Sequence, residues 1–314
     1  MMSGITFVDG VDIYTEYGVY VTFGGWNNLI AWPSLKSYKS NDWQEEDGLE
    51  ADLSSPQLDG QEGSVGFAIG GSVSDYDSFV GSLSDGAYHI FEDRKIGRTF
   101  KLRLVQGNNR DVDPRLGFAE LRFANDFSPF DGFVRGTTLG ASPVSESIAY
   151  TVDDNPLTNY GVRVLKGSLN EVEKTPQVKA NLKRNIDTLT GVEYDPKTVT
   201  FKAKDVALQC LMRADTLTDL WRNWTCLLYD LVQPGERLLY VDAIGQEFPC
   251  CYKSCAVSEF YPDGKIWLAF TLTVTFLRDF RITSDPVLAT EDNQVVLTET
   301  DENFVDLKPV KTIK

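Results

Sequence analysis

The sequence predicts a mainly β protein with one helix per domain, built as two tandem duplicated β-sandwich or half-barrel domains. Three observations lead there. Residues 17–52, moved forward by 143 positions without a gap, place Tyr17, Gly18, Val19, Val21, Gly24, Asn27, Pro33, Lys36, Gly48, Glu50 and Asp52 on Tyr160, Gly161, Val162, Val164, Gly167, Asn170, Pro176, Lys179, Gly191, Glu193 and Asp195. Most of each copy alternates apolar and polar residues with β-branched and aromatic types, the period of a half-buried strand. One segment per copy breaks that period. A repeat this long is a whole domain and not a solenoid unit, and the 314-residue length suits two domains.

In chain order, the expected strands of the first copy are Tyr14–Phe23, Ser64–Ile69, His89–Phe91, Thr99–Val105 and Gly117–Phe123. In the second they are Tyr160–Leu165, Val199–Leu211, Arg237–Val241, Glu247–Tyr252 and Ile266–Phe276. The helix of the first copy spans Ser74–Leu83, with Tyr76, Phe79, Val80 and Leu83 on one face. Its counterpart carries the stripe Thr216, Leu217, Leu220, Trp221, Trp224, Leu227 and Leu228, and Gly86 and Gly235 end the two helices. Past the early strands the register slips at loops. Asp77 and Phe79 are matched to Asp219 and Trp221, Ile96-Gly97 to Ile244-Gly245, Phe100 to Phe248, and Phe123-Ala-Asn-Asp126-Phe127 to Phe276-Leu-Arg-Asp279-Phe280.

The domains are placed at 1–127 and 151–280, with a connector at 128–150 rich in Gly and Pro and an extended C-terminal arm at 281–314. Between the early strands each copy carries a long polar excursion, 37–63 and 180–205. Loops beyond about 12–15 residues are usually functional or disordered, and both copies keep this one, so each is read as a hairpin arm that contacts a neighbour. Candidate contact residues are Trp43, Glu45, Glu46 and Asp47 in the first arm, Lys183 and Arg184 in the second, and Val295, Val296 and Leu297 in the C-terminal arm. The last three sit in a β-prone run suited to adding a strand to a partner sheet.

Acids outnumber bases 46 to 30, for a net charge of −16, so sequence-independent binding to phosphate is not expected. No run of about 18 apolar residues is present, and the N-terminus lacks a basic segment followed by an apolar one. A soluble chain made in the cytoplasm, without membrane insertion, is expected. All five cysteines lie in the second copy, at 210, 226, 250, 251 and 255, which argues for free thiols over shared disulfides. Cys250, Cys251 and Cys255 lack the spacing of a metal site.

The single histidine, His89, excludes catalysis by paired imidazoles, and its counterpart is placed at Leu238 or Leu239. Carboxylates are plentiful, but the residues shared between copies are shape-making Tyr, Gly, Pro, Lys, Phe and aliphatics. No catalytic, cofactor or metal residue is assigned, and no enzyme activity is expected. Asn223-Trp224-Thr225 has the spacing of a glycosylation acceptor but falls inside the second helix. A rival reading, a carbohydrate-binding β-sandwich, rests on Trp26, Trp32 and Trp43 as exposed aromatics, which give way to Leu169, Thr175 and Ile186 in the second copy.

Residues 5–127 resemble the N-terminal ring-forming domain of distal tail proteins from long-tailed bacteriophages, itself similar to the tail-tube domain. The likeness is carried by Tyr17-Gly18-Val19-Tyr20-Val21, by Pro33 and Lys36 ahead of the acidic arm, and by Leu58-Asp59-Gly60-Gln61-Glu62-Gly63-Ser64-Val65-Gly66-Phe67 leading to the helix. Phe201-Lys202-Ala203-Lys204-Asp205-Val206-Ala207-Leu208 repeats the design. The resemblance implies tail-tube-like domains in a ring around a DNA channel, in a virion tail assembled in the host cytoplasm. It implies tail-tube and tail-tip proteins as partners and DNA passing without specific binding. Distal tail proteins carry one such domain per chain and baseplate hub proteins carry two, so either a hexamer or a trimer with pseudo-six-fold symmetry follows.

Overall fold

The computed structural model describes residues 3–112, 117–145, 149–180, 183–184, 187–188, 190–194 and 199–278, with side chains outside 107–112, 183–184 and 193–194. The C-terminal candidates Val295, Val296 and Leu297 lie outside the described residues, as do the side chains of Lys183 and Arg184.

The first half of the chain begins with strands β1 (Thr6–Val8) and β2 (Val11–Asp12), helix α1 (Ile13–Tyr17), strand β3 (Val19–Val21) and the short helix α2 (Asn27–Ile30). A small hairpin, β4 (Ser40–Asn41) with β5 (Glu50–Ala51), precedes β6 (Gln61–Ile69) and helix α3 (Val73–Ser82). Strands β7 (His89–Asp93), β8 (Arg98–Val112) and β9 (Gly117–Asn125) complete it. The second half supplies β10 (Tyr150–Val152), β11 (Asn155–Pro156), a 3-10 turn at Leu157–Tyr160, β12 (Val162–Val164) and helix α4 (Ser168–Glu173). The hairpin β13 (Lys183–Arg184) with β14 (Glu193–Tyr194) follows, then β15 (Lys204–Arg213), helix α5 (Leu217–Leu231), β16 (Arg237–Val241), β17 (Gln246–Tyr261) and β18 (Trp267–Phe276).

Each half forms one curled, antiparallel seven-stranded sheet. The orders are β2-β1-β7-β8-β9-β6-β3 and β11-β10-β16-β17-β18-β15-β12, the same order element for element. The mainly β half-barrel expected from the alternation is therefore present. Alternation is visible in β9, where Phe118, Glu120 and Arg122 face solvent while Ala119, Leu121 and Phe123 are buried. Register shifts in β8 at Leu104/Gln106 and in β17 at Tyr252/Ser254 and Val257/Glu259 mark bulges, which bend these long strands.

The ladders correct the expected register in three places. Gln61 pairs with Asn125 and its equivalent Lys204 pairs with Phe276, so Phe276 answers Asn125 and not Phe123. Ser72 and Thr216 are the two helix N-caps and receive the N–H of Asp75 and Asp219, so Asp219 answers Asp75 and not Asp77. His89 stands opposite Leu102 and Arg237 opposite Cys250, two residues before the matched Phe91 and Leu239, so the counterpart of His89 is Arg237. Short helices also take residues expected in strands: Tyr14–Tyr17 coil into α1 and Tyr160 closes a 3-10 turn. Both turns end on a left-handed glycine, Gly18 at φ 64° and Gly161 at φ 80°.

Residues 1–280 form one compact unit, and a single apolar core runs through both sheets. Helix α5 occupies the junction. Its Trp224 lies 4.1 Å from Trp32 and donates to the Ile30 carbonyl at 3.1 Å, and its Trp221 donates to the Ile96 carbonyl at 2.8 Å. Tyr252 Oη donates to the Pro33 carbonyl at 2.9 Å, and Asn27 Nδ2 to the Ser258 carbonyl at 2.8 Å. The connector lies along the far side of α5. Phe130 and Phe133 pack on Tyr229, Arg135 pairs with Asp230, and Gly140 exchanges two hydrogen bonds with the Asn223 side chain.

Candidate interaction site

Both polar excursions form hairpins on equivalent foundations. Leu35 bridges Leu58, with Lys36 N–H donating to the Gln57 carbonyl and Asp59 N–H to that of Ser34. In the second copy Val178 bridges Phe201, Lys179 N–H donates to the Thr200 carbonyl, and Lys202 N–H to that of Gln177. In each case alternate backbone groups of the outer strand are used at the base. The N–H and C=O of the intervening residue, Leu58 or Phe201, face outward.

The first arm, expected to reach a neighbour, folds across the second half of its own chain. Gly48 N–H donates to the Phe201 carbonyl at 2.7 Å and Leu49 N–H to the Leu277 carbonyl at 2.8 Å, while Phe201 N–H donates to Asp47 Oδ1 at 2.8 Å. Lys179 is the pin. It is 2% exposed, and its Nζ donates to the carbonyls of Trp43 at 2.7 Å and Gly48 at 2.6 Å and pairs with Asp42 at 2.5 Å. Three acceptors around one ammonium satisfy a charge that burial would otherwise penalise. Thr200 Oγ1 donates to the Gln44 carbonyl at 2.8 Å. Gly48 has φ 76°, and a Cβ there would lie 1.7 Å from the Leu277 oxygen, so backbone meets backbone with no room for a side chain. Glu45, Glu46 and the Trp43 ring remain exposed, the ring donating to Glu50 at 3.3 Å.

Behind the arm, Leu53, Leu277 and Cys251 form a small apolar cluster with Leu35, Tyr38, Leu49 and Ala51. This explains why adjacent cysteines on one strand are both buried: Cys250 faces the sheet core and Cys251 faces the arm. All five cysteines are free and buried, and burial pushes the Cys255 thiol up to about 12, which leaves it unreactive. Among the described residues no group of three metal-ligating side chains converges.

Among the described residues no arm covers the matching foundation on the first half. Lys36, the equivalent of Lys179, is exposed and has no ion pair among the described residues. With Pro56, Gln57, Leu58, Asp126, Phe127, Tyr229 and other residues it lines an open groove of about 420 Å³. Asp126 forms part of its wall, held by Arg103 and by Tyr88 Oη at 2.7 Å, and the Arg103 hydrogen bond holds its carboxyl below the usual carboxylate range.

A second cavity, about 190 Å³ and mostly apolar, lies among Val19, Val21, Trp26, Ile30, Ile96 and Phe260. Its one carboxylate, Asp93, is occupied by Trp26 Nε1 at 2.8 Å, Thr6 Oγ1 at 3.0 Å and the N–H groups of Lys95 and Ile96. That carboxylate is therefore fully engaged within the fold.

The tryptophans and the single histidine take places that the sequence pattern did not indicate. Trp26 and Trp32 are 4% and 5% exposed. Trp26 stacks on Phe100 and Trp32 joins the junction with α5, because each has an apolar surface to fill that the second copy fills differently. The exposed-aromatic basis for sugar binding is thus reduced to Trp43. His89 is no isolated packing residue. Its Nδ1 meets Asp9 at 2.7 Å and its Nε2 meets Asp85 at 3.1 Å, just as Arg237 meets Asp153 at 2.7 Å. Asp9 and Asp153 both have φ 49° and receive the N–H of Ile90 and Leu238 at 2.8 Å. An aspartate in a left-handed turn braced by a hydrogen-bonding side chain from the neighbouring strand is a shared structural device that the mismatched register concealed.

A further equivalent pair caps short helices. Gln61 Nε2 donates to the carbonyls of Asn28 and Ala31 at the end of α2, and Lys204 Nζ to those of Val172 and Lys174 at the end of α4. Burial pushes Lys204 down to about 8.

No protein-family model matches the chain, and no curated protein matches it. Among solved structures it is similar to the crystal structure of Dit from phage SPP1, described as a paradigm of the hub adsorption apparatus in phages that infect Gram-positive bacteria. That match has 18% identity and a TM-score of 0.30, over 41% of this chain and 49% of that one. The chain thus spans about half the length of that protein. Among the described residues no helix is long and apolar enough to cross a membrane.

Proposed function

We propose that the chain is a structural protein of a bacteriophage tail, a distal tail or hub component without catalysis, in which two domains descended from one duplicated unit contribute to a ring around the DNA channel. The observation that carries this reading is the way the two sheets meet. They have the same strand order, and the first presents its arm to the arm foundation of the second. Such a contact is heterologous, joining different surfaces of like units, and heterologous contacts repeated by rotation close into rings. A net charge of −16 suits a channel through which DNA slides without being held. The phage assignment rests on the resemblance of residues 5–127 to ring-forming tail domains.

Light scattering on the purified chain, followed by negative-stain imaging of the same peak, tests the proposal. A trimer or hexamer with a central hole is the expected result. Particles without a hole, or a monomer at every concentration, would overturn it.

A further inference from the structure

Arg98 is a half-buried cation without an anion. It opens β8 opposite Asp93 on the ladder, but both Asp93 oxygens are taken by Trp26 Nε1, Thr6 Oγ1 and the N–H groups of Lys95 and Ile96. The Arg98 guanidinium lies 4.3 Å over the Trp221 ring, its Nε is buried with no acceptor, and among the described residues it has no ion pair. Burial holds its pKa below the ordinary arginine range. Taking a charge out of water without a partner is costly, and the sheet itself does not need this one. Phe91 and Phe100 pair as Leu239 and Phe248 do, so the places of Asp93 and Arg98 are held in the second sheet by the neutral Val241 and Gln246.

Arg98 lines a cavity of about 310 Å³ formed by the first sheet, α5 and the start of the connector, together with Trp32, Lys101, Asn125 and Thr225. Several donors on this wall are spare. Lys101 Nζ rests 4.3 Å over the Phe127 ring and has no ion pair among the described residues. Asn125 turns its Oδ1 to the Phe127 N–H at 3.2 Å, which leaves its Nδ2 to donate elsewhere. Trp32, 5% exposed, has a buried Nε1 with no acceptor. Helix α5 organises the wall: Arg98 lies on Trp221 and Trp32 on Trp224, two rings at a spacing that shares one helix face. The one acid on the wall, Asp131, is exposed on the connector. Two cations against one carboxylate make this a positive cavity in a chain of net charge −16.

We propose that this cavity binds a small oxyanion, phosphate or a carboxylate, on the terminal N–H groups of Arg98, with the Asn125 amide as a further donor and Lys101 adding positive charge from the same wall. A planar guanidinium stacked on an aromatic ring presents its fork of donors to such a group. Arg98 and Asn125 belong to the first sheet and Thr225 to α5, so the bound anion bridges the two halves beside the connector that joins them. The site stands whether or not the chain forms a ring.

The test is a titration of the full chain with sodium phosphate, and separately with sodium acetate, at an ionic strength held constant with sodium chloride. Tryptophan fluorescence reports occupancy, since Trp32 and Trp224 line the cavity, and the melting temperature is followed in parallel. A saturable fluorescence change with a rise in melting temperature is expected, as for any ligand that binds the folded state alone, and the tighter anion identifies the source. Arg98→Gln, which copies Gln246, is expected to weaken binding at least about tenfold, the scale of a lost charge-assisted contact. Lys101→Gln, exposed and so safe for folding, should weaken it about threefold, the scale of an exposed ion pair. Arg94→Gln, exposed and outside the cavity, should bind as the parent does. A parent that ignores both anions, or an Arg98→Gln chain that binds them as tightly as the parent, overturns the site. Equal losses of stability in Arg98→Gln and Asp131→Asn without added anion would overturn it too, by giving Arg98 to Asp131.

Discussion

Helices α3 and α5 hold the same place in the two sheets, between equivalent strands and behind equivalent caps, yet they are different objects. Helix α3 buries Tyr76 and Phe79 and leaves Val73, Ser74, Asp75, Asp77 and Ser78 in solvent. Helix α5 is five residues longer and buries eight side chains, including Trp221, Trp224 and Asn223. The reason is the second surface. Helix α5 is covered by its own sheet on one side and by the first half and the connector on others, so it buries a wide arc of its surface and leaves Thr218 and Arg222 in solvent. Identical strand order therefore fixes where an element lies. The company it keeps fixes its composition.

The largest effect that sharpens this contrast is expected at Trp224. Truncating it to Ala removes the contacts with Trp32 and Phe270 and orphans the Ile30 carbonyl, a loss of about 3–5 kcal/mol, while Val80→Ala at the equivalent place in α3 should cost no more than about 1 kcal/mol. Urea unfolding of both variants would check it, and equal costs would break the comparison.

The two arm-tip glycines should differ next. Gly48→Ala places a carbon against the Leu277 oxygen and forces the arm off its foundation, for about 3 kcal/mol or more. Gly191→Ala meets open space and bears only the positive-φ cost of about 1 kcal/mol. Thermal unfolding of the non-associated chain distinguishes them.

Lys179→Met leaves the carbonyls of Trp43 and Gly48 buried without a donor, which should destabilise by about 2–3 kcal/mol. Lys36→Met, being exposed, should fall within about 0.5 kcal/mol of the parent in the monomer. Protease clipping within the first arm, faster in Lys179→Met alone, would be a local readout.

The smallest effect concerns the helix-end caps. Lys204 is pushed from the ordinary 10.5 to about 8 in the folded chain, so the folded state holds its proton less tightly than the unfolded one. Stability at this site is therefore lowest below pH 8, rises as pH climbs from 8 to 10.5, and is full above that. Lys204→Gln, which copies Gln61, should flatten that rise in melting temperature between these pH values. An unchanged slope would mean that another group titrates there.

Much of the architecture is legible in the sequence. The repeat, the strand period and the capped helices located both sheets, since side-chain alternation and cap chemistry are local. Glycines at Gly18 and Gly161, or Gly48 and Gly191, aligned because only glycine adopts those angles cheaply. What went astray was register beyond the helices. Phe123 and Phe276 look alike in sequence, but one more turn of helix and longer loops in the second half change the offset, and only ladder partners count it. The bracing of Asp9 by His89 and of Asp153 by Arg237 was hidden for the same reason, as an imidazole and a guanidinium hardly resemble one another in sequence. Asn223, whose acceptor spacing falls inside the second helix, is a buried clasp for the connector, a role no local pattern announces.

That the chain is β-rich, internally repeated, acidic and equipped with two long polar excursions is written locally, because composition and periodicity are properties of neighbours along the chain. Long-range packing sets Trp26 and Trp32 in the interior, satisfies the first arm within its own chain and leaves Lys36 exposed. Those outcomes depend on which surfaces meet across more than a hundred residues, and a pairing at that distance leaves no local period to read.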